Sequence, residues 1–217
     1  MKIRCKSRLL ILTSDNHMNR FFATVTLLIL SGVEIISCGN KPSRVPRAYY
    51  ISADGNDDGR GGPDDPWQSI EKVNRVHPQS GDSVLFEGGK IFRGRLLIDS
   101  NSLGTEQFPI LIGSYGNGHA KIDGGNGNAL VLYLTRHVKL KNLDLLGNGR
   151  KKGNEKDGLA LLNSDFITVD SLDISGFQKS GLLIYSSKEV MVSNVFTHDN
   201  GSAGITVEGN NGKKESH

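Results

Sequence analysis

The sequence is poor in the residues that most often announce chemistry. It holds 2 cysteines, 1 tryptophan, 3 methionines and only 6% aromatics in 217 residues. Both cysteines, Cys5 and Cys38, fall near the N-terminus, so the remaining chain can form neither a disulfide nor a cysteine metal site. The most apolar run, "FFATVTLLIL" at 21–30, is too short to span a bilayer. Excess charge of one sign is missing too. The whole chain carries +3, but residues 1–37 hold five cations and two anions. Removing these from 26 Lys+Arg and 23 Asp+Glu leaves 21 of each. That balance gives no general electrostatic reason to bind nucleic acid. What the chain does have is glycine, 27 residues of it, which suits many turns and short strands in one domain of ordinary size.

The first residues read as a targeting sequence. Met18-Asn19-Arg20 opens a short basic region, the apolar run follows, and "IISC" at 35–38 resembles a bacterial lipobox. Cys38 is then the expected lipidation site and new N-terminus, with an ordinary secretory signal as the alternative. Residues 1–17 read as a mis-assigned upstream segment, 18–37 as the signal peptide, and 38–47 as a linker with two prolines. The expected address is the bacterial cell envelope, by lipid anchor, or secretion.

Beyond the linker, self-similarity dominates. Gly158, Gly181 and Gly204 are each 23 residues apart, and the apolar positions after them keep the same period: Ile167 with Val190, Val169 with Val192, Leu172 with Val195. An earlier copy starts at Ala129, 29 residues upstream, and its six extra residues fall in "GNGRKKGNEKD". Each copy holds three short alternating runs, with Asn142, Ser171 or Asn194 between the second and third. Asn tolerates the left-handed conformation that a sharp corner needs. Three strands per coil predict an all-β chain, a right-handed parallel β-helix. Its inward ladders are expected at Leu132, Leu161, Ile184 and Val207, and at Leu140, Val169 and Val192. Repeats occupy 129–217, and 48–128 supply an N-terminal cap and first coils. A leucine-rich solenoid fits "LKNLDLLGN" at 140–148, but the remaining residues alternate at period two, which favours strands.

Upstream, "DDPWQSIEKVNRV" predicts a short helix capped by Asp65, with Pro66 in the first turn and Trp67, Ile70 and Val73 on one face. Such a helix covers the open end of a β-helix. "DSVLF", "GRLLI" and "ILIGSYG" read as the first strands. The string from "YYISADGNDDGRGG" through "GTEQFPILIGSYGNGHAKIDG", with the repeats, resembles secreted parallel β-helix proteins of the pectate-lyase-like superfamily over about residues 49–209. That resemblance implies a carbohydrate-active protein, a polysaccharide lyase or glycoside hydrolase. The alternative is a non-catalytic glycan-binding or structural surface protein. The implied partner is a polysaccharide, acidic ones included, met by a monomer.

Lyase chemistry asks for neutralisation of a sugar carboxylate, often by Ca²⁺, and for a cationic base; hydrolysis asks for paired carboxylates. The outward positions of the first strands are expected to be Val131, Tyr133, Ala160, Leu162, Leu183, Tyr185, Thr206 and Glu208, a face with one carboxylate and no cation. Tyr133 and Tyr185 are candidates for stacking on sugars. Asp144 and Asp173 occupy matching columns and are expected to lie one above the other, with Phe196 ending the column. His198 and Asp199 follow in the next coil, and Asp144, Asp173, His198, Asp199 and Glu208 are the candidate catalytic residues. The insertion's Arg150, Lys151 and Lys152 are candidate substrate ligands, expected to reach over the first-strand face. Asp54, Asn56 and Asp58 are the candidates for Ca²⁺, although the EF-hand spacing is missing. Finally "GITV" at 204–207 begins a coil that the remaining residues cannot complete, so a fragment of a longer β-helix is expected.

Overall fold

The computed structural model describes residues 44–209. The expected upstream segment, signal peptide, Cys38, most of the linker and the tail after residue 209 lie outside the described residues.

In chain order the elements are β1 (Ala48–Ile51), α1 (Ile70–Asn74), β2 (Ser83–Glu87), β3 (Ile91–Arg93), β4 (Leu96–Ile98), β5 (Ile110–Tyr115) and β6 (Ala120–Gly125). The repeats follow as β7 (Leu130–Tyr133), β8 (Arg136–Gly147), β9 (Leu159–Leu162), β10 (Asp165–Ser175), β11 (Leu182–Tyr185), β12 (Val190–His198) and β13 (Ile205–Glu208). Every pairing between these strands is parallel. One sheet runs β4-β7-β9-β11-β13; the other runs β1-β2-β5-β8-β10-β12, with β3 and β6 stacked on the second half of β8. This is a parallel β-helix, with three faces per coil.

The period of 23 appears directly as register. Leu132, Leu161, Ile184 and Val207 are in-register partners, as are Leu140, Val169 and Val192; the first two members of each ladder have no solvent exposure, whereas Val207, expected inward, is 72% exposed in the last described rung. Alternation puts one side chain in two inside, and stacking puts like on like, so short coils share one continuous core.

The second and third runs of each coil, expected as separate strands, are single long strands. β8, β10 and β12 bend at Asn142, Ser171 and Asn194, whose φ angles are 56°, 57° and 52°. One left-handed residue turns the chain, and because stacked coils bend at the same place the ladder resumes at once. Left-handed residues that sequence reading missed stand between the first and second runs: Leu134, Asn163 and Ser186, then His137, Phe166 and Glu189.

The helix forms later than expected. Its N-cap is Ser69, not Asp65; the Ser69 hydroxyl accepts from Lys72 N at 3.1 Å. Asp57 in turn accepts from the backbone of Gln68 and Ser69 and from the Ser69 hydroxyl. Asp65 is spent on a turn, accepting from Arg60 N at 2.9 Å. Trp67 stays extended, exchanges backbone bonds with Tyr50 and Ser52, and stacks on Tyr49 at 4.9 Å. Ile70 and Val73 are buried, as expected. The next helical residue, Asn74, finishes the edge of β4: its amide donates to Arg95 O and accepts from Leu97 N, both at 2.9 Å. One side chain thus takes the place of a neighbouring strand.

Candidate functional site

On the first-strand face only part of the expected outer surface reaches solvent. Val131 and Ala160 are buried, because both are short and are flanked in register by Leu97 and Leu183. Tyr133 and Tyr185 are two rungs apart with Leu162 between them, so they form no continuous platform. Glu208 pairs in register with Tyr185 on this same face.

The chemistry gathers on the third face, outside the second halves of β8, β10 and β12. Alternation there points one column outward as Lys121, Asp144, Asp173 and Phe196, and the neighbouring column as Asp123, Leu146, Ser175 and His198. Asp144 and Asp173 stack as expected and Phe196 ends their column. Each aspartate also holds a histidine. His119 Nδ1 lies 2.8 Å from Asp144 Oδ1, and His198 Nε2 lies 3.0 Å from Asp173 Oδ1. The other ring nitrogen of His198 lies 2.9 Å from Asp199 Oδ2. A row of three carboxylates and two imidazoles therefore crosses four coils.

The electrostatics of the row follow from these contacts. The hydrogen bond to Asp199 is the largest influence holding the His198 pKa above its ordinary value, and the charge of Asp173 adds to it. The same bond lowers the Asp199 carboxyl, helped by Arg150. An imidazole with a carboxylate at each nitrogen donates from both only as the imidazolium. When protonated, His198 is therefore a positive bridge between coils. His119 has one nitrogen engaged, which leaves its Nε2 outside the bond with Asp144. Beside the row Phe196 is 63% exposed, its ring 5.0 Å from that of His198.

His119 is the member that sequence reading missed. It lies in the coil before Ala129, where no 23-residue similarity marks the columns. Its only signal is its place in "HAKID", just ahead of a strand that pairs with β8.

Contrary to the expectation that it reaches over the first-strand face, the insertion after β8 does not cover that face. It lies at the corner beyond the third face because Asn154 pins it there. This buried amide donates to Gly125 O at 2.8 Å and Gly127 O at 2.9 Å, and accepts from Lys156 N and Gln178 N. Arg150 and Lys151 then line a groove of about 440 Å³ with Gln178, Lys179 and Gly201. Lys152 is not in its walls. A second groove of about 230 Å³ lies on the second face, beside the stacked rings of His137 and Phe166.

The Ca²⁺ candidates do not converge. Asn56 accepts from Asp58 N at 3.0 Å, and Asp54 pairs with Lys90 at 3.6 Å. Asn56 is used by the turn's own backbone and Asp54 by a lysine, and no cluster of three metal-ligating side chains stands among the described residues.

No protein-family profile matches the chain. Among curated proteins it is similar to a lacto-N-biosidase of Bifidobacterium longum subsp. longum, 31% identical over 136 residues. That match takes in 58% of this chain but only 8% of the relative's length. The fold is similar to the solved GH136 lacto-N-biosidase from Eubacterium ramulus, with a TM-score of 0.55 at 21% identity, over 75% of this chain and 34% of that one. It is also similar to an alginate lyase from Paenibacillus sp. str. FPU-7, with a TM-score of 0.52 at 16% identity, over 69% of this chain and 44% of that one. Identities this low bear on the fold alone.

Proposed function

We propose that this chain is the β-helix part of a carbohydrate-active protein of the cell envelope, and that its working surface is the third face. The observation that carries the reading is the row His119–Asp144, Asp173–His198–Asp199, laid across four coils beside an exposed Phe196. A sugar chain is long and narrow, and a strip of hydrogen-bonding groups with one aromatic edge suits its hydroxyls and its apolar ring faces. The similarity to the curated lacto-N-biosidase supports the carbohydrate-active part of that reading.

Within that reading, hydrolysis is favoured over elimination. Asp144 and Asp173 are direct register partners on adjacent strands. Neighbouring strands lie about 4.8 Å apart. Glycoside hydrolysis uses a pair of carboxylates flanking the scissile bond, and these two are the stacked pair that this face offers. One of the pair would serve as the attacking carboxylate and the other as the proton donor to the leaving oxygen. A panel of neutral and acidic polysaccharides, assayed both for new reducing ends and for unsaturated uronate, tests this. New reducing ends without unsaturated product are expected. Unsaturated product would move the reading to a lyase.

A second reading, glycan binding without cleavage, is favoured by Phe196, which replaces a third carboxylate in the column and supplies a ring surface instead. Binding with no new ends from any polysaccharide would select it. The envelope address rests on the pattern ending at Cys38, and mass spectrometry of the mature N-terminus tests it. A diacylglyceryl group on Cys38 is expected; a mature chain starting elsewhere contradicts the anchor.

A further inference from the structure

We propose that the groove lined by Arg150, Lys151, Gln178, Lys179 and Gly201 is a subsite for an anionic substituent of a sugar, a carboxylate or a sulfate ester. The inference deepens the reading of the third face as a glycan-contacting strip and rests on it.

Three cations surround one hollow of about 440 Å³. Arg150, Lys151 and Lys179 are absent from the ion pairs formed among the described residues. Like charges around one concavity repel, and their field is strongest inside it, so an entering anion lowers the free energy of the site. Ordinary solvated lysines would spread apart. Here the loop backbones from which these exposed side chains extend are held close to one another.

The restraint is specific. Asn154 fixes the insertion to the corners of the coils on both sides. Asn148 donates to Asn126 at 2.8 Å, and Asp157 accepts from Ser180 N at 2.9 Å. The corner loops also stack as backbone: Lys179 N donates to Lys156 O, Gly201 N to Phe177 O, and Ser202 N to Lys179 O. Gly201 makes the closest approach, since a β-carbon there would fall 2.2 Å from Gln178 O. The floor of the groove is thus built by three stacked coils.

The groove lies next to the row: Gly201 in its wall comes two residues after Asp199, the outer end of the row. The charge of Arg150 also contributes to the lowered Asp199 carboxyl. A sugar lying along His119, Asp144, Asp173 and His198 would therefore carry its substituents towards Arg150. No aromatic residue lines the groove, so it offers nothing for a ring face to stack on. An Arg fork with two lysine point charges matches the planar oxygens of a carboxylate or the oxygens of a sulfate.

Titration calorimetry of the full chain tests this with three oligosaccharides of equal length. They are an oligogalacturonate carrying only carboxylates, a sulfated dextran oligomer carrying only sulfates, and an unmodified dextran oligomer. At least one anionic oligomer is expected to bind about tenfold more tightly than the neutral one, with the advantage shrinking as salt rises. The anionic oligomer that shows the advantage identifies the substituent. The triple variant Arg150→Gln, Lys151→Gln, Lys179→Gln should lose the advantage while keeping its circular dichroism spectrum. Equal binding of all three oligomers, no binding of either anionic one, or an unchanged triple variant overturns the inference. A double variant, Asp173→Asn with Phe196→Ala, separates this from the underlying reading. If the double variant loses binding and the triple does not, the strip stands and the groove falls. If only the triple variant loses binding, the groove stands and the strip falls.

Discussion

His198 reaches back one coil to Asp173, its Nε2 3.0 Å from Asp173 Oδ1, while its Nδ1 lies 2.9 Å from Asp199 Oδ2. A contact between coils is thereby tied to a contact within a turn, and only the imidazolium proton lets both be donated at once.

The pH dependence follows from that proton. The folded-state pKa of His198 is raised above 6.5, first by the bond to Asp199 and then by Asp173. The stabilisation is therefore fully present below the unfolded value and is lost as pH rises through the folded one. Asp199 is lowered below 3.8, so its share is lost as pH falls through its folded pKa. The turn after β12 should be most protected between these limits. Hydrogen exchange at Gly201 N, which donates to Phe177 O at 2.8 Å, reports it. Protection should weaken above the His198 pKa, and His198→Gln should remove the pH dependence. Flat protection across that range contradicts the imidazolium bridge.

Asp82 should be the most costly single carboxylate to lose. It has no solvent exposure and accepts from Arg44 Nη1 and Nη2 and from the backbone of Arg47 and Gln79. Burial alone would raise its pKa; the Arg44 guanidinium and the two N–H donors outweigh burial and lower it. Asp82→Ala strands four donors, two of them backbone N–H groups, and should cost about 2–4 kcal/mol in chemical denaturation. Because the folded pKa is depressed, the stability should also fall as pH drops through it.

The corners predict a different pattern. A left-handed residue costs about 1–2 kcal/mol unless it is Gly, Asn or Asp. Asn194→Val should therefore destabilise by about that much or more, since β-branching adds to the strain. Ser171→Asn should be neutral or mildly stabilising. A loss on Ser171→Asn equal to that on Asn194→Val would show that the corner depends on something other than backbone conformation.

Asn154→Ala should loosen the insertion without unfolding the coils. It removes the partner of two carbonyls and two N–H groups, worth about 1–3 kcal/mol locally. Exchange should rise at Lys156 and Gln178 while β8 and β10 stay protected. Uniform exchange over the whole chain would mean that Asn154 is instead part of the global core.

These residues also explain what a reader of the sequence can and cannot see. The ladders were legible because a constant period of 23 turns alignment into register, as Val169 under Val192 demonstrates. Asp144 over Asp173 was legible for the same reason. His119 was not, because its coil has a different length and no internal copy to align with. Asp65 misled because Asp-Pro directly before the apolar spacing of Trp67, Ile70 and Val73 resembles a capped start; Ser69 won because Asp57, twelve positions away, orients it. The insertion's direction was equally hidden, since Asn154 finds its partners at Gly125 and Gln178, outside any local pattern.

The central claim is that the third face is the one that meets a glycan. Hydrogen-exchange mass spectrometry of the full chain, with and without a saturating oligosaccharide ligand, tests it most directly. Protection confined to peptides covering His119–Asp123, Asp144–Gly147, Asp173–Gly176 and Phe196–Gly201 is the predicted result. Protection instead on the first-strand face, over Leu130–Tyr133 and Leu182–Tyr185, with none at His119 or His198, would contradict it.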